Sequence, residues 1–153
     1  MNPKVLILIG SESDRDTMKG CLENLDRFGV PHELIVSSAH RAPEKTRRLA
    51  TEAQQRGVSI LICAAGMAAA LPGVVAAHTR LPVIGVPLDG SPLSGVDSLH
   101  AIVQMPPGVP VATMAIGAAG AKNAAILAVQ ILALADAGLA EKLEAFKAEM
   151  ATK

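Results

Sequence analysis

The chain has 153 residues, 14 Lys or Arg against 14 Asp or Glu, a formal net charge of zero, and hydrophobic side chains at half its positions. That length fits one domain, residues 1–153, with room for a sizeable core. The balanced charge gives no electrostatic footprint for nucleic acid or a membrane surface, and no apolar run is long enough to span a bilayer.

In chain order, "KVLILIG" (4–10) is an apolar run closed by Gly10, the mark of a strand buried on both faces. Met18, Cys21, Leu22, Leu25 and Phe28 recur at helical spacing and predict a helix over 13–28. "HELIVSS" (32–38) reads as a second buried strand. A charged helix over 43–56 follows, with Pro43 in its first turn. "SILICAAG" (59–66) is the third strand, "LPGVVAAHT" (71–79) a short helix, and "LPVIGVPL" (81–88) the fourth strand. Ser94 and Asp97, at capping-box spacing, predict a helix over 94–105. "VPVATMAIG" (109–117) is a shorter fifth strand, and 119–151 forms one or two helices broken near Gly138.

This alternation predicts an α/β fold: a five-stranded parallel sheet with helices on both faces and a C-terminal helical tail. Ligands of such sheets bind outside the carboxyl ends of the strands, at a switch in strand order. After strand one comes "GSESD" (10–14). Ser11 and Ser13 offer hydroxyls beside free helix N–H groups, a setting suited to phosphate. Asp14 either caps the helix or accepts from a ribose diol. After strand two comes "SSAHR" (37–41). His40 is a candidate general acid/base, because imidazole is the side chain that ordinarily titrates near neutrality. Arg41 opposes the dipole of the helix it precedes, which favours a role on an anionic ligand. After strand three, "AAGMAAALPG" (64–73) lets a ligand approach the backbone.

Three familiar sites on such folds do not fit. A dinucleotide site wants GxGxxG, a phospho-acceptor wants Asp after strand three, and a flavin site wants exposed aromatics. There is no Trp or Tyr, and Phe28 and Phe146 fall in helical patterns. Cys21 and Cys63 lack metal-site spacing and read as small core residues. No cofactor and no metal is therefore expected. The neutral, Ala-rich composition predicts a homo-oligomer. No charged leader followed by an apolar stretch opens the chain, so a cytoplasmic location is expected.

Taken together, "GSESD", "SSAHR", "GMAAALPG", "SPLSGVDSL", "QMPPGVPVATMAIG" and "GAKNAAILAVQIL" resemble the N5-carboxyaminoimidazole ribonucleotide mutase family of purine biosynthesis. This is the catalytic subunit of phosphoribosylaminoimidazole carboxylase, and the likeness is to its bacterial mutase class. The motifs run in order from about residue 4 to 135. The resemblance implies a flavodoxin-like three-layer sandwich, a homo-octamer, and no cofactor. It implies transfer of a carboxylate from the exocyclic nitrogen of the ribonucleotide to ring carbon C4, with His40 as the proton shuttle. It puts Ser11, Asp14 and Arg41 on the ribose 5'-phosphate, with Ser13 and Ser38 nearby. Ala39, Gly66, Met67, Ala68, Ala70 and Leu71 complete the implied substrate site. The chemistry fits: an electron-rich aminoimidazole carbon attacks CO2 without a metal, and one His serves both proton transfers. A small dry pocket keeps the CO2 from escaping.

One position departs. The mutase class usually reads GGAAHLPG where residues 66–73 read GMAAALPG, so Ala70 stands in place of a second histidine. A related class that carboxylates aminoimidazole ribonucleotide with CO2 tends to Ala there, but with Arg-Ser-Asn before it and Lys after the SAH, where this chain has Arg41. Direct carboxylation and a non-catalytic nucleotide-binding homologue stay open as alternatives. On the mutase reading, Met67 and loop 91–97 are expected to supply the remaining wall.

Overall fold

The computed structural model describes residues 2–153. Strands β1 (Val5–Ile9), β2 (His32–Val36), β3 (Ile60–Ala65), β4 (Val83–Pro87) and β5 (Ala112–Thr113) form one parallel sheet in the order β2-β1-β3-β4-β5. The helices are α1 (Lys19–Phe28), α2 (Pro43–Glu52), α3 (Leu71–His78), α4 (Val96–Val103), α5 (Ala118–Ala133) and α6 (Ala137–Ala151). The order reverses at β1 and β3, as in flavodoxin-like sheets.

Alternate side chains of a strand point to opposite faces. Val5, Ile7 and Ile9, with Ile60, Ile62 and Ala64, pack against α1 and α5. Leu6, Leu8, Leu61 and Cys63 pack against α2, α3 and α4 on the other face. The result is the expected three-layer sandwich. β1, β3 and β4 are buried along their whole length, which is why they read as unbroken apolar runs. Each fully buried Leu or Ile contributes about 1.5–3 kcal/mol. Both cysteines are core residues, and burial pushes the Cys21 thiol up to about 12 and raises the Cys63 thiol as well. Neither ionises near neutral pH. The rings of Phe28 and Phe146 meet edge to face with centroids 5.5 Å apart, which docks α6 on α1.

Several boundaries differ from the sequence expectation. β2 is an edge strand with every residue half-buried, because the strand order leaves its outer side unpaired. β5 covers two residues, not 109–117. Pro106, Pro107 and Pro110 lack N–H donors, so regular pairing starts late. Met114 N–H to Gly85 O (2.9 Å) and Gly117 N–H to Pro87 O (2.8 Å) then extend the connection irregularly. The helix expected over 13–28 is interrupted. Ser11 and Asp14 form a capping box around a 3₁₀ turn (Glu12–Asp14), and regular helix begins at Lys19. Ser94 does not cap α4. Gly95 does, at φ +83°, while Asp97 accepts from Ser91 Oγ at 2.8 Å. The tail divides at 134–136, where the Asp136 carboxylate accepts from Leu139 N–H at 3.0 Å; Gly138 lies inside the first turn of α6.

Gly120 lets α5 start where it does. A Cβ there would lie 1.6 Å from the Ala115 carbonyl oxygen. α5 then buries Ala121, Ala124, Ala125, Ala128 and Val129 within the chain. The exposed large apolar side chains are Leu134 and Met150 in the tail, and Met67, Leu93, Val96 and Val103 elsewhere. No helix among the described residues is long and apolar enough to cross a membrane.

Candidate active site

A cleft of about 620 Å³ opens at the carboxyl ends of β1, β2, β3 and β4. Its lining includes Ser11, Ser13, Asp14, Ser38, Ala39, His40, Arg41, Gly66, Met67, Ala68, Ala70 and Leu71. These twelve residues, all singled out in the sequence, therefore face one cavity, although they come from the segments after three different strands. Four further lining residues had not been singled out: Ala65, Ala69, Leu88 and Gly90; Gly10, read only as a turn residue, lines it too. Their signal was positional, since each lies at or just past a strand end. Loop 91–97 contributes no lining residue, contrary to expectation. Ser91 bonds to Asp97, folding that loop back on the start of α4, and Leu88 and Gly90 form the wall instead.

The loop after β1 is built by its own hydroxyls. Ser11 Oγ lies 3.0 Å from Ser13 Oγ, and Asp14 Oδ2 accepts from Ser11 N–H at 3.1 Å. Asp14 thus caps the turn and also lines the cleft. Burial raises its carboxyl above the ordinary aspartate value; the Ser11 N–H and the Arg41 charge oppose that rise.

The loop after β2 carries the candidate acid/base. His40 and Arg41 are exposed. Arg41 donates through Nε to Ser38 Oγ (3.3 Å) and through Nη2 to Gly10 O (3.1 Å), while its backbone N–H reaches Ser38 Oγ at 3.2 Å. Its side chain therefore ties the first two loops together. The guanidinium carries five N–H donors, so others remain for an anionic ligand. No hydrogen bond to another described residue holds the His40 ring.

The loop after β3 is a tight turn closed by Ala69 N–H to Gly66 O at 3.0 Å. Met67 (φ +54°) and Ala69 (φ +40°) lie in the left-handed region that favours glycine. Such residues cost about 1–2 kcal/mol each and collect at functional sites. Their small neighbours leave backbone open to the cleft. No group of three or more His, Cys, Asp or Glu positioned for a metal occurs among the described residues.

The sheet order and the cleft at its switch point define a flavodoxin-like α/β protein with a small-molecule site holding one imidazole, one guanidinium, one carboxyl and three hydroxyls. The chain belongs to the AIR carboxylase family, whose model matches residues 4–153. It is 53% identical over 146 residues to the N5-carboxyaminoimidazole ribonucleotide mutase of Vibrio vulnificus, covering 95% of this chain and 91% of that one. It is 54% identical over 144 residues to the mutase of the same name from Bacillus subtilis, covering 94% and 89%. Among solved structures, PurE of Treponema denticola superimposes with a TM-score of 0.87 at 28% identity, covering 98% of this chain and 92% of that one.

Proposed function

We propose that the chain, acting as one domain, is an N5-carboxyaminoimidazole ribonucleotide mutase of purine biosynthesis, an isomerase. The observation that carries this reading is the meeting of His40, Arg41, Ser11, Ser13 and Asp14 around one cleft walled by small residues. Arg41, with the hydroxyls of Ser11, Ser13 and Ser38, holds the 5'-phosphate, and Asp14 accepts from the ribose. Gly66, Ala68 and Ala70, with Met67, Leu71 and Ala39, enclose the base and the migrating carbon.

The reaction conserves its proton. Protonated His40 gives a proton to the exocyclic nitrogen as the N–C bond breaks, leaving CO2 and aminoimidazole ribonucleotide. Ring carbon C4 then attacks CO2, forming the new C–C bond. The neutral imidazole removes the C4 proton and aromaticity returns. His40 ends as it began, and no redox partner is consumed.

The enzyme works as a cytoplasmic homo-octamer in this reading. Leu93 and Val96 at the cleft end of the molecule, and Leu134 and Met150 in the tail, supply apolar surface for contacts between copies. Light scattering that finds a monomer at micromolar concentration refutes the assembly. The activity is tested by offering the N-carboxylated ribonucleotide and, separately, aminoimidazole ribonucleotide with bicarbonate. The mutase reading expects the first to be converted faster under ambient bicarbonate. Turnover of only the second, rising linearly with dissolved CO2, refutes it. Ala70→His sharpens the comparison, because a mutase cleft should accept that imidazole and keep or improve its rate.

A further inference from the structure

Three polar side chains are buried among the described residues: Ser37 (2% exposed), Thr46 (0%) and Ser98 (0%). All three stand beneath the cleft end of the sheet, and all do the same job. Ser98 Oγ reaches Leu88 O at 2.7 Å and Gly95 O at 2.9 Å, joining the end of β4 to the cap of α4. Ser37 Oγ lies 2.8 Å from Thr46 Oγ1, and Thr46 Oγ1 donates to Ala42 O at 3.1 Å. Ala42 caps α2, and Ser37 is the first residue past β2. The segment between them carries Ser38, His40 and Arg41.

The direction of the second set follows from proton counting. A hydroxyl has one proton to give. Thr46 gives its proton to Ala42, so Ser37 must be the donor to Thr46. The bonds run from the Ser37 hydroxyl to the Thr46 hydroxyl to the Ala42 carbonyl. A threonine bonding back to the carbonyl four residues earlier is common in helices and needs no partner. Here it has one, in a layer otherwise built of aliphatic side chains. Burying two hydroxyls in such a layer is unfavourable unless they are paired. Apolar side chains of similar size would fill the space without that requirement.

His40 and Arg41 are exposed, so packing around their own side chains does not fix them. Arg41 is tied to Ser38 Oγ and Gly10 O, and Ala42 N–H closes the turn on Ser38 O at 2.8 Å, but no hydrogen bond among the described residues holds the His40 ring, so its place depends on how the two ends of the segment are anchored. We propose that Thr46, acting through Ser37, is a positioning residue for the carboxylate transfer. It brackets the His40 loop at both ends and sets where the imidazole and guanidinium stand over the cleft. The proposal rests on the mutase reading of the site. Neither residue lines the cleft.

The test compares Thr46→Val, which keeps the shape and removes the hydroxyl, with Thr46→Ser, which keeps the hydroxyl. Turnover, KM, melting temperature and amide hydrogen exchange over residues 38–42 are measured for each. A displacement of about 1 Å costs on the order of a hundredfold, so Thr46→Val should lose roughly ten- to a hundredfold in kcat. Exchange in the loop should quicken. Thr46→Ser should restore both. A Thr46→Val enzyme with parental kcat overturns the proposal, as does unchanged exchange. Equal losses in the Val and Ser variants overturn it too, since the methyl would then be what matters. If Thr46→Val does not fold, Ser37→Ala takes its place: Thr46 keeps its acceptor, and the same losses are expected. A parent enzyme that converts neither ribonucleotide refutes the mutase reading separately; the exchange comparison then decides alone whether the hydroxyls hold the loop.

Discussion

Replacing His40 by Asn keeps a polar side chain of similar reach and removes the imidazole. The ring is exposed and unbonded to the described residues, so the fold has little to lose. Surface changes of that kind shift stability by about 0.5 kcal/mol or less, which in a domain of this size moves Tm by about 1–2 °C. The proposed chemistry has much more to lose, because both proton transfers pass through this one group. Loss of a general acid/base lowers rate by ~10²–10⁴-fold, equivalent to about 2.7–5.5 kcal/mol of transition-state stabilisation. KM should stay close to the parental value, since Arg41 and the serines hold the phosphate. The assay follows disappearance of the N-carboxylated ribonucleotide at saturating concentration, with thermal unfolding of the same sample in parallel. A kcat near that of the parent removes His40 from the mechanism. A lost rate accompanied by a Tm drop well beyond the expected shift makes the residue structural.

Arg41→Lys replaces a fork by a point charge and gives up the ties to Ser38 Oγ and Gly10 O. Initial rates should show KM raised about tenfold with a smaller change in kcat; an unchanged KM means Arg41 is not a phosphate ligand. Asp14 carries a carboxyl raised above its ordinary 3.8, chiefly by burial. The folded state therefore keeps that proton to higher pH than the unfolded state does, and this group's contribution to stability falls as pH rises through the window above 3.8. Asp14→Asn should unfold at higher urea than the parent at neutral pH and lose that advantage once the pH is below 3.8; an advantage that persists there contradicts the linkage. Gly120→Ala should destabilise by about 3 kcal/mol or more, although helix propensity alone predicts a gain of about 1 kcal/mol. The reason is the 1.6 Å approach to Ala115 O, and a stabilised variant in urea unfolding would show that this contact relaxes freely.

Much of the architecture could be read from local pattern. A strand buried on both faces must be apolar at every position, so "KVLILIG" and "SILICAAG" announced themselves without any knowledge of their partners. Gly10 and Gly66 closed the first and third strands, Pro43 marked the start of a helix, and the general rule for parallel sheets pointed to the strand ends as the site. His40 and Arg41 were legible because such residue types have little structural use where an apolar strand stops, whereas Ser11 and Asp14 also serve as a capping box. What sequence could not specify depends on neighbours far along the chain. β2 resembles β1 in sequence, yet only the strand order makes it an edge. Leu88 and Ala65 look like the ends of core strands until β3 and β4 lie side by side and present them to the cleft. Asp14 looked like either a cap or a ligand group; the folded loop makes it a cap that also faces the cavity, and burial raises its carboxyl. Thr46 reads as an ordinary helix residue; Ser37 becomes its partner only when α2 folds back over the end of β2 and closes water out from between them. Local preference depends on residues within a turn or two, whereas burial and hydrogen-bond partnership are set by segments that meet only in the folded chain.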